Sequence, residues 1–212
     1  MTEMSAATHN RRGRPATASP DDVLQAATAQ YLAGQRLDLT ELAKGLGMSR
    51  ATIYRWFGSR ESLLGEVVAR QLELLVAHRR ATMREHGARG LLEVFDQINR
   101  DLARSKPLRR LLQQEPRGGL RLLTSTGGVV QPRAVACVEQ LIVDEVRAGR
   151  YDPPADPGTL AYAVVRLAEA FLYNDASSDI RGDYRRLREV QAALLGVPRE
   201  SGPAAARLTT SS

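Results

Sequence analysis

The stretch that most restricts the fold of this chain is DLTELAKGLGMSRATIYRWF, residues 38–57. Within it Ala43, Gly47 and Ile53 stand at relative offsets of zero, four and ten. Two short helices that cross closely need a small residue at the crossing and a Gly where the backbone reverses. They also need an aliphatic residue that locks the second helix onto a core. All three requirements are met, so the stretch is expected to form a helix-turn-helix. Such a pair is too small to stand alone. A helix before it and the start of one after it must close a small core with Leu42, Leu46, Met48, Ile53 and Phe57.

The flanks supply those helices. Ser19-Pro20-Asp21-Asp22 is a helix start, with Ser19 as cap, Pro20 in the first turn and two acids at the positive end of the dipole. Val23, Ala27 and Tyr31 then share a face, and Gly34 stops the helix. Asp38-Leu39-Thr40-Glu41 reads as a capping box with Asp in the Ser/Thr position. Ser49 caps a third helix ending at Phe57, and Ser59 caps a fourth extending to Arg84. Further helical segments are expected over residues 90–104, 107–114, 131–148, 158–173 and 183–195, bounded by Gly or Pro. Residues 115–130 carry Gly118-Gly119 and Gly127-Gly128 and read as loop with at most a short helical piece. No run of alternating β-branched residues suggests a sheet. The chain reads as all-α, divided into a flexible basic arm (1–18), a three-helix DNA-binding domain (19–64), a helical domain (65–196) and a disordered tail (197–212).

The third helix directs the functional reading. With Ile53 and Phe57 inward, Arg50, Ala51, Thr52, Tyr54, Arg55 and Trp56 are left for the outer surface. A short helix with two Arg, a Thr, a Tyr and a Trp outward fits the major groove, its first residues at base edges. Arg50 and Arg55 would bond guanine or phosphate. Thr52 would meet a thymine methyl or a phosphate, and Tyr54 a phosphate oxygen. Trp56 would lie at the strand backbone, and Arg60 beside a helix N-terminus would add a phosphate contact. Thr40 and Ser49, at the starts of the two short helices, complete the expected face. The competing reading packs these aromatics against the protein itself. Ahead of the domain, RRGRP offers Arg11, Arg12 and Arg14 to a neighbouring minor groove.

The run DLTELAKGLGMSRATIYRWFGSRESLL resembles the DNA-binding signature of the TetR family of bacterial transcriptional regulators. Gly47, Ser49, Thr52, Ile53, Tyr54, Trp56, Phe57, Ser59, Arg60, Glu61 and Leu63 occupy the signature positions. Asp38, Met48 and Arg60 depart from the commoner Ser or Thr, Val and Lys. The resemblance implies a two-domain homodimer with about nine helices per chain, which represses transcription from a near-palindromic operator and is released by a small molecule. The runs RLLTSTGGVVQPR and DPGTLAYAVVRLAEAFLY are similar to the QsdR-like, lactone-responsive subgroup. That similarity makes a butyrolactone or an acyl-homoserine lactone the candidate effector.

In the helix over 158–173, apolar nearly all round, Tyr162, Arg166, Glu169 and Tyr173 form one polar stripe. Buried charges need partners, so Arg166 and Glu169 should meet each other, a ligand or another helix. Phe95, Ile98, Leu102, Leu111, Leu112, Leu122, Leu141 and Phe171 are available as apolar walls of a small-molecule site. An ion pair that stitches a dimer or the core would read the same way. The helices over 158–173 and 183–195 are expected to pack against their mates, the second through Tyr184, Leu187, Val190 and Leu194. An alternative overall reading is a ligand-independent DNA-binding protein whose second domain only dimerises.

Composition sets the remaining bounds. The chain carries 30 Lys and Arg against 24 Asp and Glu, a formal charge of +6, and its only lysines are Lys44 and Lys106. Arg preference suits phosphate recognition, and a GC-rich coding sequence would produce it equally well. Cys137 is alone, which excludes a disulfide framework within the chain and a Cys-based metal site. His9, His78 and His86 form no ligand motif, and neither a Gly-rich phosphate loop nor a nucleophile elbow occurs. No enzyme, cofactor or metal is expected. No apolar run is long enough for a bilayer, and the N-terminus lacks a secretory apolar segment, so a cytoplasmic protein without a membrane partner is expected.

Overall fold

A computed structural model describes residues 18–173 and 184–198, which form ten α-helices. The expected arm, which includes Arg11, Arg12 and Arg14, and nearly all of the expected tail lie outside the described residues. The first four helices are α1 (Pro20–Leu32), α2 (Leu39–Gly45), α3 (Arg50–Phe57) and α4 (Arg60–Ala81). Then follow α5 (Gly87–Arg104), α6 (Lys106–Gln114), α7 (Pro116–Thr124) and α8 (Val130–Arg147). The last two are α9 (Pro157–Tyr173) and α10 (Tyr184–Leu194).

The caps act largely as read. The Ser19 hydroxyl accepts from the Asp22 amide, and the Asp22 carboxylate accepts from the Ser19 amide at 2.7 Å, a complete capping box. At α2 the box is incomplete. Asp38 Oδ1 accepts from the amides of Thr40 (2.7 Å) and Glu41 (3.2 Å), but the Asp38 amide donates to Gln30 Oε1 of α1 at 3.0 Å. The start of α2 is thereby stapled to α1. Gly47, at φ 64°, makes the turn into α3 in a conformation that a Cβ resists.

Several helix ends shift by one to three residues, and two differences have a visible cause. Helix α4 ends at Ala81, where the Thr82 hydroxyl turns back to the carbonyls of His78 and Arg79. Residues 116–124, expected as loop with at most a short helical piece, form the 9-residue α7. Gly119 is buried against α6, and a Cβ there would come within 3.3 Å of Leu112 Cδ2. The glycine pair that reads as a breaker therefore marks a close helix crossing, and Pro116 in the first turn pre-sets the helix.

Two hydrophobic cores result. The first joins Val23, Ala27, Ile53, Leu63 and Val67 to Leu108, Leu112, Leu123, Val130 and Leu172, so it crosses the expected division between residues 64 and 65. The second contains Leu91, Val94, Phe95, Ile142, Leu160, Val164 and Leu195, and Val76 extends α4 into it. Each fully buried aliphatic side chain contributes about 1.5–3 kcal/mol. Helix α10 packs against α5 and α9 of its own chain. Leu187 and Gln191 are buried there while Val190 is exposed, so the expected intermolecular stripe is split between inside and outside.

A buried carboxylate ties the second core together. Glu145 near the end of α8 accepts from the Gly87 amide at the start of α5 (2.8 Å) and pairs with Arg150 Nη2 (2.7 Å). The Arg150 guanidinium holds the Glu145 carboxyl down at about 2. Gly87 is required here: its φ is 64°, and a Cβ would stand 2.6 Å from the Arg150 carbonyl oxygen. Among the described residues no helix is long and apolar enough to cross a membrane.

Candidate functional site

Helix α3 presents the side expected of it. Arg50, Ala51, Tyr54 and Arg55 are exposed, as are Thr40 and Ser49, with Ile53 buried beneath them. The Arg50 guanidinium lies 5.9 Å from the Tyr54 ring centroid, which holds both side chains on one outer ridge. Ser49 caps the helix through the Thr52 amide, and the Ser49 and Thr52 hydroxyls lie 3.0 Å apart, leaving Thr52 half-buried.

Two residues of the expected DNA face sit differently. Trp56 is half-buried against the first core rather than fully outward. At about 100° per residue, Trp56 lies only about 60° from Ile53 around the helix, at the edge of the inward side. Arg60 is also largely covered. Its Nε donates to the Leu37 carbonyl at 2.9 Å, while Nη1 and Nη2 reach the two Glu115 oxygens at 3.1 and 2.5 Å. Arg36 adds a third contact to Glu115 at 3.1 Å. These arginines, Arg60 foremost, keep the Glu115 carboxyl below its ordinary range. Glu115 joins α6 to α7, so this cluster ties the start of α4 and the α1–α2 connection to the second half of the chain.

A cavity of about 310 Å³ lies between the helices of that second half and the back of α1 and α4. Phe95, Ile98 and Leu102 of α5, Val138 of α8, and Val164 and Val165 of α9 wall it, and Tyr31, Leu32, Val68, Gln71 and Leu72 close it on the DNA-binding side. Glu169 and Tyr173 line it as expected. Leu111, Leu112 and Leu141 are buried in the cores without lining it, and Leu122 is half-buried against the first core. Tyr162 and Arg166 also lie outside it, both exposed. A polar stripe sets only the direction around a helix; along α9 its first half meets solvent and its second half is covered. Arg166 Nη1 bonds Glu169 at 2.7 Å and the Thr124 carbonyl at 3.2 Å, so the two charges satisfy each other.

Burial governs the titration of the lining groups. It pushes the Tyr31 hydroxyl up to about 12, that of Tyr173 higher still, and the Glu169 carboxyl above its ordinary value against the pull of Arg166. Burial also raises the thiol of half-buried Cys137, which disfavours the thiolate. Asn99 of α5 and Gln191 of α10, both buried and lining the cavity, were not foreseen. A signal existed. Asn99 follows Ile98 on the register of Phe95 and Leu102, and Gln191 falls four residues after Leu187, so each is an amide at a core position.

Comparison with known proteins agrees with this architecture. The family model described as Tetracyclin repressor-like, C-terminal domain, matches residues 86–196, more than half of the chain. The model for bacterial regulatory proteins, tetR family, matches residues 35–67. No curated protein matches the sequence. Among solved structures, the R. erythropolis transcriptional repressor QsdR superposes with a TM-score of 0.79 at 29% identity, over 86% of this chain and 96% of that one. The TetR family repressor AlkX from Dietzia sp. strain DQ12-45-1b, implicated in biodegradation of n-alkanes, gives 0.59 at 20% identity, over 85% and 95%. The fatty acid degradation regulator FadR from Bacillus halodurans gives 0.52 at 19% identity, over 85% and 100%. The last two establish shared fold alone. With a helix-turn-helix whose outer ridge is basic and a helical second half that both match by model, the chain belongs to the TetR family of bacterial DNA-binding transcriptional regulators.

Proposed function

We propose that this regulator is a homodimeric repressor that holds a near-palindromic operator and releases it when a small molecule fills the cavity. The observation that carries the reading is the shared wall: Tyr31 and Leu32 of α1 and Val68, Gln71 and Leu72 of α4 line the cavity on one side. Both helices also share a core with α3. A ligand that reshapes the cavity therefore acts on the helices that position α3. A coupling of about 1–3 kcal/mol would weaken DNA binding roughly 5- to 150-fold.

On the operator, Arg50 and Arg55 are the principal contacts, supported by Thr40, Ser49, Ala51, Thr52 and Tyr54, with the Trp56 edge near the strand backbone. Arg60 serves instead to hold α4, since Glu115 and Leu37 take its donors. Arg11, Arg12 and Arg14 would follow the adjacent minor groove. One eight-residue helix offers few base contacts. A second copy set about one DNA turn (~34 Å) away supplies the rest. The outer face of α9, with exposed Thr159, Tyr162, Arg166 and Ala170, is the surface proposed to meet that copy. The effector proposed from the QsdR-like motifs is a lactone, and the site of action is the cytoplasm.

Fluorescence anisotropy on DNA flanking the protein's own gene, at fixed salt, tests the DNA half of this reading. Saturable binding of two chains per site, lost in the Arg50→Ala/Arg55→Ala double variant, is the expected result. Equal affinity for unrelated DNA would contradict it. Release by a lactone panel then separates this reading from ligand-independent binding.

A further inference from the structure

We propose that the Asn99–Gln191 amide pair is the polar anchor of the cavity, and that it selects an uncharged ligand with an apolar body and a carbonyl-type acceptor. This inference rests on the reading of the cavity as the effector site. Asn99 and Gln191 are 5% and 0% exposed, on the packed helices α5 and α10, and both line the cavity. Asn99 Nδ2 donates to Gln191 Oε1 at 3.2 Å, which uses one donor and one acceptor of the pair. Among the described residues, Gln191 Nε2 is buried with no hydrogen-bond partner. A buried, unsatisfied amide donor is costly, and an acceptor brought in by a ligand would relieve that cost. The walls around it are aliphatic and aromatic, so the rest of the ligand is apolar.

Charge narrows the class further. The ionisable carboxyl groups among the lining residues are Asp101 and Glu169, and no Lys or Arg lines the cavity among the described residues. Asp101 is paired with Arg79 (Nε to Oδ2, 2.6 Å) and Glu169 with Arg166, both arginines lying outside the lining. A ligand carboxylate would therefore be desolvated in an apolar cavity whose two acids already hold their arginines and which offers it no cation. Such an arrangement is strongly disfavoured unless the ligand is protonated. A neutral ester, ketone, lactone or amide meets no such penalty.

Isothermal titration of the full-length protein with methyl octanoate and with octanoate, matched in chain and differing in charge, tests the proposal. The wild type is expected to bind the ester at least about tenfold more tightly than the acid. Replacing both amides in the Asn99→Leu/Gln191→Leu variant leaves no orphaned partner, and its folding is verified by its melting curve. The ester affinity is expected to fall about fivefold to tenfold in that variant. If the double variant fails to fold, Gln191→Met alone, close in length, should show the same loss. Octanoate binding as well as the ester, or undiminished ester binding in the variant, would overturn the anchor. Octanoate that binds and releases DNA would overturn the anchor and leave the effector reading standing. If neither compound binds, the anchor is overturned, while the effector reading stands or falls on the lactone panel.

Discussion

Glu145 is a carboxylate at 3% exposure that serves a backbone amide and two basic side chains at the junction of α5 and α8. Its pKa is depressed from the ordinary 4.5 to about 2, chiefly by Arg150. A carboxyl with a depressed folded-state pKa contributes stability that is present above its unfolded value and is lost as pH falls through the folded one. Glu145→Gln is therefore expected to cost about 1–3 kcal/mol at pH 7, with the difference from wild type shrinking between about pH 4.5 and 2. Urea melts at several pH values measure this, and a pH-independent difference would contradict it. On the DNA face, Arg50→Ala is expected to lower operator affinity by about 1–3 kcal/mol without moving the melting temperature. At this scale the sequence was informative about orientation and less so about partners. The positions of Arg50, Tyr54 and Arg55 follow from helical spacing around Ile53. The engagement of Arg60 does not, because its partner Glu115 lies 55 residues away and only the fold brings them together.

The first four helices of this chain were legible from the side-chain caps at their starts, and α5 and α8, which have none, from their apolar spacing. Ser19, Asp38, Ser49 and Ser59 each accept from a backbone amide two or three residues on, and each marks a start that local chemistry dictates. Ser49→Ala is expected to cost about 1 kcal/mol of stability, read by denaturant melts, because the first turn of the recognition helix then loses its side-chain acceptor. Helix α7 was hidden because its glycines answer to packing against Leu111 and Leu112, which is not a local property. The junction that it shares with α6 carries Glu115, the residue holding Arg60 and Arg36. Glu115→Gln is expected to loosen α4 from that junction and so to reduce the effect of ligand on DNA affinity, while ligand affinity in the absence of DNA stays the same. Paired titrations with and without operator check this. An unchanged coupling would remove the cluster from the transmission path.

For the molecule as a whole, the expected division at residue 64 does not coincide with a division between cores. Val23, Ile53 and Leu63 pack in one cluster with Leu112, Leu123 and Leu172, so the DNA-binding helices and the second half share a core. Hydrophobic periodicity locates each helix face, but it does not say which distant face will cover it. For the same reason the sequence could offer Phe95, Ile98 and Leu102, which line the cavity, together with Leu111, Leu122 and Leu141, which pack away from it. In the proposed function, this shared core is the physical route between ligand and operator. The most direct test is operator affinity of the full-length protein with and without a cavity ligand at a concentration shown to be saturating by its shift of the melting temperature. The expected result is a roughly 5- to 150-fold loss of operator affinity, matched by an equal loss of ligand affinity on the operator-bound protein. Unchanged operator affinity with the cavity demonstrably occupied would contradict the account.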